Sequence, residues 1–119
     1  MQRVGAIGFD TTMWYAARSG HIEIVKMCKE WGAKNFDRAM RAAARGGYVE
    51  TVRLCKEWGA EDFNGAMYSA AKYGRIEIVK LCKKWGANNF DEAIEVASGD
   101  GHYGIAKMCK KWMKCIGKC

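Results

Sequence analysis

Trp31, Trp58, Trp85 and Trp112 stand 27 residues apart, and three other residue types keep the same step. Cysteine does so at positions 28, 55, 82 and 109, phenylalanine at 9, 36, 63 and 90, and glycine at 20, 47, 74 and 101. An unbroken period of this length makes the chain a set of small supersecondary units, none of which can bury its apolar side alone. The units are 9–35, 36–62, 63–89 and 90–116. Residues 1–8 read as the remnant of an earlier unit, because Gly5-Ala6 is in register with Gly32-Ala33, and 117–119 form a tail. At 119 residues the chain is expected to be one domain.

Each unit divides into two helical segments. The first is expected to start at Asp10, Asp37, Asn64 or Asp91, whose side chains can accept a free N–H of the opening turn. It runs through an alanine pair, such as Ala43-Ala44, to a glycine turn at Gly46-Gly47. The second spans about Tyr48–Trp58. In the first unit its apolar residues Ile24, Met27, Cys28 and Trp31 follow helical spacing, and Glu23, Lys26 and Glu30 lie opposite, one turn apart. The chain has 14 glycines and no proline, and no unit shows the alternation of a strand, so the expected class is all-α. In the last unit Met113 and Lys114 replace the Gly-Ala that stops the other second helices, so the final helix is expected to run on into the tail.

Preceded by Ala16-Ala17 and Ala70-Ala71, the segments Gly20-His21-Ile22-Glu23-Ile24-Val25-Lys26-Met27 through Gly32-Ala33 and Gly74-Arg75-Ile76-Glu77-Ile78-Val79-Lys80-Leu81 through Gly86-Ala87 resemble the second half of ankyrin repeats. The resemblance implies a solenoid of four helix–turn–helix repeats with a concave first-helix face as the usual partner surface. Two departures stand out. The unit lacks about six residues where the family has its β-hairpin finger, and Arg38-Ala39-Met40-Arg41 stands where the family has Thr-Pro-Leu-His. Short units with a tryptophan late in the second helix resemble the abbreviated ankyrin arrays of large DNA viruses, which implies a viral protein engaging a host factor.

The constant columns read as packing. Adjacent units stack at roughly 8–10 Å, too far for a disulfide within a column or for one tetrahedral zinc, so the column cysteines are expected to act as small hydrophobes. The Trp column shares its helical phase with Cys28 and Met27, and the rings are expected to stack unit on unit over the missing finger. Cys115 and Cys119, among Lys110, Lys111, Lys114 and Lys118, read as exposed thiols open to oxidation. His21 and His102 share a position with Tyr48 and Arg75, and no nucleophile–base group can be built from local spacing. Neither a catalytic residue, a cofactor nor a metal is expected.

The columns that differ between units lie on the first helix. One reads Trp14, Arg41, Tyr68, Glu95; a second Thr11, Arg38, Gly65, Glu92; a third Arg18, Arg45, Lys72, Gly99. Tryptophan, tyrosine and arginine are the side chains that most often dominate interface energetics. The candidate partner-binding residues are therefore Trp14, Arg18, Arg38, Arg41, Arg45, Tyr68, Lys72 and Glu95, and the expected function is a non-catalytic protein–protein interaction scaffold. The alternative follows from a net charge of +7 concentrated in the third unit, which has five basic residues and one acidic: a basic solenoid holding nucleic-acid phosphates by counterion release. Lysines interleaved with Glu23, Glu50 and Glu77 and a neutral second unit weigh against it. No stretch reaches the length of a membrane span and no leader is evident, so the expected location is cytoplasmic or nuclear. The first unit shows no polar cap, which marks its outer face as a surface for self-association.

Overall fold

Among the described residues the backbone forms eight helices in four consecutive pairs: α1 (Gln2–Ser19), α2 (Ile22–Glu30), α3 (Phe36–Gly46), α4 (Val49–Glu57), α5 (Phe63–Lys72), α6 (Ile76–Lys84), α7 (Phe90–Gly99) and α8 (Tyr103–Lys118). The computed structural model describes the backbone of residues 2–118 and the side chains of 9–114. Among the described residues there is no strand. Each odd helix packs on the even helix that follows it, and the odd helices pack on one another in chain order, α1 on α3, α3 on α5 and α5 on α7. The even helices make a second layer, and the molecule measures 54 × 28 × 21 Å.

Small residues make the odd layer close. Ala39, Ala42, Ala43 and Ala44 of α3 are buried, as are Ala66, Ala70 and Ala71 of α5, and Met13, Met40 and Met67 fill the gaps with no exposed surface. Methionine suits such gaps because its unbranched chain adapts to irregular space. The even layer adds Val25, Val52 and Val79 and the four column cysteines, all fully buried. Helix α3 ends at Gly47, whose φ of 84° is left-handed, and whose N–H returns to Ala43 O. The last helix runs on to Lys118, as Met113 and Lys114 in place of Gly-Ala require.

Three local expectations are corrected. Helix α1 starts at Gln2 and passes through Gly5-Ala6 without a turn, so Asp10 does not open it. The later first helices start at the phenylalanine, and the capping position is the residue before it: Asn35 Oδ1 accepts from Arg38 N–H at 3.3 Å and Asp62 Oδ1 from Gly65 N–H at 3.0 Å. The residues after the phenylalanine reach instead across their own unit to the turn that closes it. Asp10 Oδ1 accepts from Lys34 and Asn35 N–H at 2.9 and 3.1 Å, Asp37 Oδ1 from Glu61 and Asp62 N–H at 2.7 and 3.1 Å, and Asn64 Oδ1 from Asn88 and Asn89 N–H at 2.9 Å each. One oxygen thus satisfies two backbone donors of the turn that leads into the next unit, tying that turn to the helix that opens its own unit. Thirdly, the buried stripe of α2 is Val25 and Cys28, while Ile24, Met27 and Trp31 are exposed by 41, 42 and 55%.

Candidate interaction surface

The row of differing residues on the odd helices resolves into three neighbourhoods. Around α1 the Trp14 ring is half-buried against the core and lies between two guanidiniums, Arg18 at 5.5 Å and Arg38 at 5.3 Å from its centre. Tyr15 meets it edge-on at 4.7 Å. Cation–π contacts of this kind hold the arginines over the ring, so this patch presents the charge of Arg18 and Arg38 together with the exposed part of the indole.

Between α3, α5 and α7 lies an open depression of about 580 Å³ lined by Arg41, Asp62, Gly65, Tyr68, Glu92 and Glu95, among others. Gly65 creates it. A Cβ there would sit 2.8 Å from Arg41 Cδ and against the Asp62 carboxylate. Its absence lets Asp62 turn one oxygen to the Gly65 N–H and the other to Arg41 Nη1 at 3.2 Å. Tyr68 stands exposed beside this pair, and Glu92 and Glu95 close the far side. The result is an Arg41–Asp62 ion pair, an exposed tyrosine and an acidic wall within three adjacent helices.

Arg45 and Lys72 belong to neither group. They turn toward Tyr73 at the opposite ends of the odd helices, at 4.8 and 5.8 Å from its ring, and Lys72 Nζ lies 3.9 Å from Asp100 Oδ2. The structure therefore gathers Arg41, Tyr68 and Glu95 into one depression, places Trp14, Arg18 and Arg38 in a second cluster, and sets Arg45 and Lys72 apart. Asp62 and Tyr73, which organise two of these neighbourhoods, were not candidates. Asp62 is the N-cap and Tyr73 the C-cap residue of α5.

The constant columns are engaged in packing. Burial, with a smaller contribution from Asp37, pushes the Cys55 thiol up to about 12; burial, with Asp62, does the same for Cys82; Cys28 and Cys109 are also raised. Such thiols stay protonated and unreactive at neutral pH. Cys115 and Cys119 lie outside the described side chains. The tryptophans do not stack on one another, which corrects that expectation. Each leans on the phenylalanine of its own unit, with ring centres 5.5 Å apart for Phe36–Trp58 and 5.8 Å for Phe90–Trp112. A lysine of the preceding unit covers it: Lys29 over Trp58, Lys56 over Trp85 and Lys83 over Trp112, at 5.5, 5.4 and 5.2 Å. The flexible lysine stem reaches from one unit to the indole of the next.

The variable second-helix position also has a packing role. Tyr48 lies over Gly20, Arg75 over Gly47 and His102 over Gly74, each against the glycine of the preceding unit. Among the described residues no group of three or more His, Cys, Asp or Glu is placed to hold a metal ion, and no helix is long and apolar enough to cross a membrane. Compared with known proteins, the chain matches no family model and has no detectable relative among curated proteins.

Proposed function

We propose that the chain is an ankyrin-like solenoid without fingers, and that it works as a non-catalytic scaffold binding a protein partner across the first-helix face. The observation that carries this reading is the depression around Gly65. It sets Arg41, Tyr68 and Glu95, three side chains that differ from unit to unit, on a layer whose buried residues are nearly all alanine and methionine. A rigid, close-packed layer that presents one exposed aromatic between opposite charges suits a protein segment carrying an acidic and a basic group on either side of an apolar one. Arg18 and Arg38 extend the basic side by one unit.

Affinity capture from cells, read by mass spectrometry, tests this. The variant Trp14→Ala/Arg41→Ala/Tyr68→Ala is expected to lose the partner captured by the wild type while keeping its helical content. An unchanged capture profile with the fold intact overturns the reading. The rival basic-surface reading finds less support, because Lys29, Lys56 and Lys83 are occupied over tryptophan rings. Steeply salt-dependent binding to generic duplex or single-stranded nucleic acid, abolished by charge reversal at Lys80, Lys83 and Lys84, would reinstate it.

A further inference from the structure

The contacts between successive units are directional, and each leaves one half unused at either end of the molecule. The side of a unit that faces forward presents a lysine and a glycine. The side that faces back presents a tryptophan, two apolar side chains and the variable residue that covers the glycine. Lysine meets tryptophan three times, at Lys29–Trp58, Lys56–Trp85 and Lys83–Trp112. Glycine is covered three times, by Tyr48, Arg75 and His102. The fourth lysine of the series is Lys110 and the fourth glycine is Gly101, which has nothing within 4 Å of its Cβ position. Both lie at the α7/α8 end. The matching tryptophan and covering residue are Trp31 and His21, at the α1/α2 end, and both are exposed.

The apolar residues tell the same story. Ile24 is 41% exposed, whereas Thr51, Ile78 and Ile105 in its column are at most 4% exposed. Met27 is 42% exposed, whereas Leu54, Leu81 and Met108 are half-buried. On the forward side, Ile94 is half-buried where Met13, Met40 and Met67 have no exposed surface.

We propose that copies of this chain associate head to tail, the α7/α8 end of one stacking on the α1/α2 end of the next. Lys110 of one copy covers Trp31 of the other, His21 covers Gly101, and Ile24 and Met27 are buried as their counterparts are inside the chain. The occupant is a second copy because the uncovered halves at the two ends are the two halves of one contact already made three times. Such a contact is heterologous and does not close on itself, so it builds open chains. It uses different residues from the first-helix row and stands or falls separately from it.

Sedimentation velocity under reducing conditions tests the proposal. The mass of the wild type is expected to rise continuously with concentration without stopping at a dimer. Ile24→Asp, which puts a carboxylate at the centre of the contact, and Lys110→Glu, which faces the indole with the wrong charge, are each expected to weaken association at least tenfold. Both positions are exposed, so the fold is expected to survive, with Trp31→Ala as a third, uncharged check. An equimolar mixture of Ile24→Asp and Lys110→Glu has one intact end of each kind and is expected to form a pair and nothing larger. A monomeric wild type at every concentration overturns the proposal. So does association that survives Lys110→Glu unchanged, which would mean that two α1/α2 ends meet each other.

Discussion

The seam between units and the first-helix face belong to the same four helix pairs and follow opposite rules. On the seam the residues repeat: the Asp37 oxygen on two backbone N–H groups, the lysine on the indole, the methionine with no exposed surface. On the face they change from Trp14 to Arg41 to Tyr68 to Glu95. Repetition marks where every unit must solve the same packing problem, and change marks where none is posed. The variable column of Tyr48, Arg75 and His102 cuts across this rule, since it varies and yet packs, each side chain lying against a glycine that leaves room for it.

Substitutions separate the two regions by size of effect. Met40→Ala empties a site with no exposed surface between α1, α3 and α5 and is expected to lower unfolding free energy by about 2–5 kcal/mol in denaturant titration. Asp37→Ala leaves the Glu61 and Asp62 N–H groups without their acceptor and is expected to cost about 1–2 kcal/mol. Asp37→Asn is expected to restore most of it, because Asn64 makes the same pair of bonds one unit on. Lys56→Ala uncovers Trp85 and is expected to cost about 0.5–1 kcal/mol. Tyr68→Ala, on the face, is expected to stay within about 0.5 kcal/mol of the wild type in stability. A stability loss at Tyr68 as large as that at Asp37 would erase the distinction.

The thiol column adds a pH signature to the seam. Cys55 and Cys82 are held protonated in the folded chain to about pH 12, against an ordinary value of 9.0. Their contribution is therefore complete below pH 9 and is lost as pH rises from 9 toward 12, where the unfolded thiols ionise and the folded ones do not. Melting temperature is expected to fall across that window, and to fall less in Cys55→Ala/Cys82→Ala.

The all-helical class, the helix pairs, the packing role of the cysteines and the run of α8 through Met113 and Lys114 were all legible in the sequence, because spacing and glycine placement decide them locally. The caps were not. Asn35-Phe36-Asp37 holds two residues able to cap, and only the fold shows that Asn35 does so while Asp37 reaches a turn 24 residues away. Periodicity also hid the ends: it makes Trp31 equivalent to Trp58, and the missing neighbour that exposes Trp31 is not a property of the period. Of the candidate residues picked out by their variation, Arg41, Tyr68 and Glu95 share one depression. Asp62, which orients Arg41, was not among them, because its role depends on the absent Cβ of Gly65.

Gly65→Ala is expected to push the Asp62 carboxylate away and release Arg41, changing stability by at most about 1 kcal/mol, the scale of an exposed ion pair. The most direct test of the division between seam and face is hydrogen exchange of the chain with and without its captured partner. Added protection is expected in α1, α3, α5 and α7 along the row from Trp14 to Glu95, with α2, α4 and α6 unchanged. Protection confined to α2, α4 and α6 would contradict it.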